Sequence, residues 1–256
     1  YREFRFFLEK GTCMQKFSVF FLTFFLAPIF LLSAEPIYHK VQYPPGDKKF
    51  PAVILLHTSG GFKTVRYQIP KYVKNGFAVY APDFFKKHGI SSSNRMETFD
   101  EYREPIEKEL LEIVALMKKD PKIDKNNIFA AGFSNGGFWT CFLAGKGVVN
   151  AGASHYGVWK ANFGPDMTNE YPMEYFSKNS TPLLALHGDS DSTQKIDFAH
   201  DAWSDIKDRG GKLMIHVYEN IDHAWDAKRS RKYEYDEKTD KDALKRTIRF
   251  FRKHSK

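Results

Sequence analysis

A three-layer α/β fold, with helices covering both faces of a mostly parallel sheet, is predicted by three features of the sequence. Residues 51–57 and 77–81 are continuous short apolar runs, the pattern of strands buried on both faces. Between such runs lie segments with helical spacing, clearest in Ile106, Leu110, Ile113, Val114 and Met117. Gly, Pro, Asn and Asp punctuate nearly every change from one to the other, and strands alternating with helices pack as a parallel sheet. A chain of 256 residues, 42% of them hydrophobic, fills one such domain and is too small for two large ones.

The N-terminal stretch is set apart. Lys16 precedes an apolar run over residues 17–32 that ends in Ser33 and Ala34, the layout of a secretory signal peptide. Pro28 interrupts the run, which argues against a retained spanning helix. Residues 1–34 are therefore expected to be upstream sequence and signal peptide, with Met14 as the natural start. Residues 35–256 then form an exported, periplasmic or secreted domain with no stable membrane insertion once the signal is removed. Two cysteines, Cys13 and Cys141, are too few for a disulfide framework.

Taken in order, residues 37–43 alternate weakly and suit an edge strand closed by Pro44-Pro45-Gly46-Asp47. Residues 51–57 form a central strand that opens into Thr58-Ser59-Gly60-Gly61. A helix over residues 67–74 stops at Asn75-Gly76, and residues 77–81 return as a strand. The long helix from about Pro105 ends at Asp120-Pro121. Strands follow at residues 128–131, 149–156, 183–187 and 213–218. Helices are expected over residues 196–209 and around Ala243, Leu244, Thr247, Ile248 and Phe251.

Chemistry concentrates at Gly132-Phe133-Ser134-Asn135-Gly136, a G-x-S-x-G turn between an apolar strand and an apolar helix. A serine hydroxyl attacks well when it protrudes from a strained turn, and flanking glycines let neighbouring backbone come close. The helix beginning after Ser134 aims free N–H groups at developing negative charge. A serine needs a base, and the base an orienting acid. Each is sought on a loop after a later strand, in the order serine, acid, histidine. His223, after the last strand, fits the base; His187, within a strand end, suits a structural role or support of the acid loop. Asp191 reaches further than Asp189 toward an imidazole, and Asp222 adjoins His223 too closely. The amides of Asn135 and of Thr58 or Ser59 are the expected oxyanion donors. His57 and His155 end strands on the same side and are expected, with Trp159 and Trp225, to contact substrate. The aromatic-rich segment 157–180 is either a candidate substrate wall or a surface excursion packed by its own aromatics. No metal or organic cofactor is required, and Asp189 and Asp191 lack further ligands that would make a metal site.

From about Ile37 to Phe251 the chain resembles the dienelactone hydrolase family of α/β-hydrolases. The resemblance rests on Ala81-Pro82-Asp83-Phe84, Asp124 and Asn126, Gly132-Phe133-Ser134-Asn135-Gly136-Gly137, Tyr156-Gly157, Leu186-His187-Gly188-Asp189-Ser190-Asp191 and His223-Ala224-Trp225. It implies the α/β-hydrolase fold, places the acid on Asp191 and the base on His223, and implies a small-molecule ester or lactone as substrate. Founding members carry cysteine at the position of Ser134 and glutamate at that of Thr58. The Ser-Asn-Gly-Gly form is also similar to secreted polyhydroxybutyrate depolymerases and feruloyl esterases.

The formal net charge of +8 arises partly from Lys228-Arg229-Ser230-Arg231-Lys232 and Arg252-Lys253. Glu234, Asp236, Glu237, Asp240 and Asp242 interleave with this region and no nucleic-acid motif accompanies it, so a solvated face is expected rather than nucleic-acid binding. A peptidase usually adds a cap or propeller for which these residues leave no room. An acyltransferase would use the same three side chains. A non-catalytic exported binding protein on this fold is the rival of a different class.

Overall fold

The computed structural model describes residues 38–161 and 171–256. The expected signal segment and Phe163 lie outside the described residues.

Seven strands form one sheet in the order β1-β3-β2-β4-β5-β6-β7. They are β1 (His39–Gln42), β2 (Phe50–Leu56), β3 (Ala78–Pro82), β4 (Ile123–Phe133), β5 (Gly152–His155), β6 (Leu183–Gly188) and β7 (Leu213–Tyr218). β1 runs antiparallel to β3, and every other pairing is parallel. Among the described residues there are five α-helices, α1 (Ile69–Lys74), α2 (Arg103–Lys119), α3 (Asn135–Gly145), α4 (Ile196–Asp208) and α5 (Glu237–Lys253), the last following β7. This is the three-layer α/β-hydrolase fold.

The continuous apolar runs divide between the two faces because successive strand side chains point in opposite directions. In β2, Ala52, Ile54 and Leu56 join the core shared with Ile106, Leu110 and Met117 of α2 and Phe138 and Phe142 of α3. Val53 and Leu55 face the other way, toward Ile69 and Tyr72 of α1 and Ala243, Ile248 and Phe251 of α5. A third cluster packs Cys141 and Ala144 of α3 with Ala202, Trp203 and Ile206 of α4. The helical residues picked out by spacing in α2 are all buried. Every residue of α3 is buried, so this helix has no polar face and is held by its surroundings on all sides.

Two expectations shift. The strand expected over 149–156 is only Gly152–His155, because Asn150 turns its side chain back to accept from the Ile128 amide. The described part of segment 157–180 is no substrate wall. Trp159, Met173 and Phe176 are buried with α4, and Tyr175 packs on Phe138 and Phe142. A surface excursion with this many aromatics is fixed by burying them.

The serine turn is built by close approach. A Cβ on Gly132 would lie 1.9 Å from the Gly136 carbonyl oxygen, and one on Gly136 would lie 2.3 Å from that of Leu56. Both atoms are backbone and cannot move aside. Gly136→Ala is therefore expected to cost at least about 3 kcal/mol, whereas Gly76→Ala, with φ 89° but open space around it, should cost about 1–2 kcal/mol. Chemical denaturation of the two variants checks the ordering.

Candidate active site

Ser134 stands between β4 and α3 at φ 52°, a left-handed conformation that a serine adopts only under constraint. Its amide donates to the His155 carbonyl at 3.0 Å, and its own carbonyl accepts from Gly137 at 2.8 Å and Val158 at 3.1 Å. The backbone is thus tied on both sides, and the hydroxyl is left for His223.

Ser134 Oγ lies 2.9 Å from His223 Nε2, and His223 Nδ1 lies 2.7 Å from Asp191 Oδ2. With the carboxylate accepting from Nδ1–H, Nε2 is left to accept from the serine hydroxyl. The other oxygen of Asp191 accepts from the amides of Thr193 at 2.8 Å and Gln194 at 2.7 Å. All three side chains are buried or nearly so. Two further carboxylates fix the loops. Asp222 accepts from the Ser192 amide at 2.7 Å and the His223 amide at 2.6 Å, and these donors hold its carboxyl below the usual range against the opposing effect of burial. Asp189 accepts from the Asn220 amide at 2.7 Å. Asp189 and Asp222 therefore join the acid loop to the histidine loop, while Asp191 faces the imidazole.

His187 supports this arrangement from beneath. Its Nε2–H donates to the Gln194 carbonyl at 2.7 Å, and its Nδ1 accepts from the Trp159 indole N–H at 3.3 Å. The Trp159 amide donates to the Gln194 side chain at 2.8 Å. Burial, the largest influence, depresses the His187 pKa, consistent with the neutral form these partners require.

The oxyanion donors separate. Asn135 opens α3, where no helical carbonyl is placed to accept from its amide. The Thr58 amide is committed to Thr64 Oγ1 at 3.1 Å, which removes it from the expected pair. No hydrogen bond occupies the Ser59 amide among the described residues, which leaves Ser59 with Asn135. The Asn135 side chain spans the gap, its Nδ2 at 3.4 Å from both Ser59 Oγ and Thr98 Oγ1, while its Oδ1 accepts from Trp139 Nε1 at 3.1 Å.

A cavity of about 980 Å³ opens over Ser134 and His223. Its wall comes from the loops after β2 and before α2 and from the segment following His223, with Tyr67, Tyr156 and Tyr233 supplying rings. None of the four expected substrate contacts lines it. His57 is fully buried and stacks on Phe84 at 3.8 Å. His155 pairs with Thr247 Oγ1 at 3.0 Å. Trp159 braces the acid loop as above, and Trp225 lies edge-on to Tyr156 at 4.7 Å. The two tryptophans bury their large rings against neighbouring aromatics, and the two histidines are buried with a ring partner or a hydroxyl partner in the core.

One important group escaped the sequence. Asp226, fully buried three residues after His223, accepts from Tyr67 Oη at 2.8 Å, Gln68 Nε2 at 2.5 Å and Tyr156 Oη at 2.5 Å. Burial raises its pKa, and the three donors oppose that shift. Tyr156, in turn, packs edge-on to the His223 ring at 4.8 Å. The four non-glycine residues with positive φ among the described residues are Ser134, Tyr156, Asn220 and Ala224. All lie at the serine, behind the imidazole or in its loop, and such strain persists only where the surroundings enforce it.

Fold and site together define an α/β-hydrolase. The chain belongs to the dienelactone hydrolase family, whose profile matches residues 39–255. It is 25% identical over 221 residues to dipeptidyl-peptidase 5 of Porphyromonas gingivalis, an alignment covering 72% of this chain and 32% of that protein. The chain thus spans about a third of that relative. Among solved structures, a dienelactone hydrolase-like promiscuous phosphotriesterase from metagenomic libraries superposes with a TM-score of 0.71 at 14% identity, covering 85% of this chain and 92% of that one. Esterase 2 of Thermogutta terrifontis does so with a TM-score of 0.65 at 15% identity, covering 84% and 88%.

Two outcomes follow from the buried groups. Asp226→Ala strands three donors, two of them buried and one half-buried, and should cost at least about 3 kcal/mol, lowering Tm by roughly 6–12 °C in calorimetry, more than Asp226→Asn does. Burial also lowers the pKa of His57 and His155 from 6.5 to about 3. The unfolded chain then binds protons that the folded one refuses, so their stabilisation is complete above pH 6.5 and is lost progressively as pH falls toward about 3. His155→Gln should flatten the decline of the urea midpoint between about pH 6 and about pH 4.

Proposed function

We propose that the protein is a serine hydrolase that cleaves a carboxylic ester or lactone through an acyl-enzyme. Ser134 is the nucleophile, His223 the general base and Asp191 the orienting acid. The observation that carries the reading is the unbroken hydrogen-bond relay from Asp191 through His223 to Ser134 at the base of an open cavity.

In the first half of the reaction, Ser134 Oγ bonds to the substrate carbonyl carbon as its proton passes to His223 Nε2. Asp191 holds Nδ1–H and stabilises the imidazolium that forms. The negative charge moves to the carbonyl oxygen, where the amides of Asn135 and Ser59 receive it; loss of one such donor costs about 3–4 kcal/mol of barrier. The tetrahedral intermediate collapses, the carbon–oxygen bond to the leaving group breaks, and His223 returns its proton to the departing alkoxide. In the second half, water attacks the acyl carbon, giving a proton to His223. Collapse then releases the carboxylic acid and returns that proton to Ser134. In a lactone the leaving alcohol stays attached to the acyl group, and the product is one hydroxy acid.

Family membership and esterase-like fold neighbours support the class of reaction. The likeness to a dipeptidyl-peptidase favours one other reading, hydrolysis of a peptide amide by the same three side chains. A panel of short-chain p-nitrophenyl esters and a dipeptidyl p-nitroanilide, run on the protein and on Ser134→Ala, separates these. Ester turnover that falls at least about 10⁴-fold in the variant is expected. Equal rates in both would remove Ser134 from the mechanism, and a faster anilide than ester reaction would assign the peptide. Should no panel member react, covalent labelling of Ser134 by a fluorophosphonate is still expected, and its absence would overturn the proposal.

A further inference from the structure

The basic run after His223 is not a remote solvated face. Lys228, Arg229 and Lys232 line the cavity that contains Ser134 and His223. Three more cations reach the same wall from distant parts of the chain: Lys63 and Arg66 after β2, and Arg95 before α2. All six are exposed, and none makes a salt bridge among the described residues. Four are held in place by neighbours. The Arg66 guanidinium lies 5.3 Å from the Phe62 ring centre, and Lys228 and Lys232 lie 4.8 and 4.7 Å from those of Tyr235 and Tyr233. Arg95 donates to the Ser92 carbonyl at 2.6 Å.

The imbalance is local. The whole chain carries 39 basic against 31 acidic residues, but among the described residues the only carboxyl on the cavity wall is Asp226, buried and already engaged by three donors. Glu234, Asp236, Glu237, Asp240 and Asp242 follow the basic run in sequence but do not line this wall, and of them Glu237 feels the charge of Lys228. Unpaired cations around a concave site concentrate anionic solutes and raise their capture rate roughly 10- to 1,000-fold. Six of them around 980 Å³ exceed what a single carboxylate would engage.

We propose that the substrate is an ester whose non-reacting part carries two or more negative charges, bound by this ring of Lys and Arg while its carbonyl sits at Ser134. This deepens the serine-hydrolase reading and rests on it for the reaction, while the charge recognition can be measured separately. The chemistry fits carboxylate-rich and phosphate-bearing molecules alike.

Two measurements test it. In the first, kcat/KM is compared for p-nitrophenyl butyrate and the p-nitrophenyl monoester of tricarballylate, which keeps two free carboxylates. The dianionic ester is expected to win by about 10-fold or more in about 20 mM NaCl and to lose that margin near about 500 mM. The triple variant Lys228→Gln, Arg229→Gln, Lys232→Gln should lower the dianionic-to-neutral ratio by about 10-fold. A ratio near one in the native protein, or one that ignores both salt and the triple variant, overturns the charge proposal even if butyrate is hydrolysed. In the second, Ser134→Ala is titrated calorimetrically with trigalacturonate, fructose 1,6-bisphosphate and neutral maltotriose, so that binding is read without turnover. Salt-sensitive binding of either anion, weakened about 10-fold by the added triple substitution, supports the proposal even where no ester reacts, and the tighter anion names its source. Equal affinity for maltotriose, or no binding by any of the three, overturns it.

Discussion

The Leu56 carbonyl at the end of β2 lies where a side chain on Gly136 would have to go, 2.3 Å from the position of its Cβ. That contact sets how near α3 comes to the sheet, and Gly132 closes the same turn from the other side against Gly136 itself. With the helix drawn in this far, Ser134 has no room to be anything but the projecting corner, at φ 52°. The fully buried and mostly apolar α3 makes the arrangement self-enforcing, because any outward movement would expose residues that are buried on all sides. The first amide of the helix, that of Asn135, follows the serine directly as a by-product of the same packing.

The partners of the serine are located by a different kind of force. The loops that carry them are held by carboxylates that range from exposed to buried. Asp222 and Asp189 join the acid loop to the histidine loop, and Asp226 gathers three donors from two other segments beneath the imidazole. Charge-assisted bonds of this sort are directional where hydrophobic burial is not. They also explain how Tyr156, Asn220 and Ala224 are kept in unfavourable backbone conformations.

Much of this could be read in the chain beforehand, and the division is physical. Continuous apolar runs gave β2 and β3 within a residue or two, since a strand covered on both faces needs little beyond apolarity and a turn at each end, and the apolar run of β7 marked a half-buried strand at the end of the sheet. The elbow at Ser134 was legible because its glycines are sterically required, and Asp191 and His223 because the order of elements leaves few places for them. The cavity wall was not legible. Its six cations come from three segments far apart in sequence, and the acids that follow Lys228 to Lys232 along the chain do not line it, so adjacency along the chain misstates the local charge. His57, His155, Trp159 and Trp225 erred the other way. They stand at the correct end of the sheet, but sequence position does not say whether a ring points into the crevice or back into the core.

The constraints around Ser134 fall on everything except its own Oγ. Its neighbours' lack of Cβ atoms, its amide and its carbonyl are all committed, while the hydroxyl touches only the imidazole. Foldability and reactivity are therefore separable at this position: a different nucleophilic atom on the same Cβ asks nothing new of the packing. A lineage could exchange oxygen for sulfur here, in either direction, without passing through an unfolded intermediate. That freedom gives a structural reason why one scaffold carries serine in this chain and cysteine in the founding members it resembles.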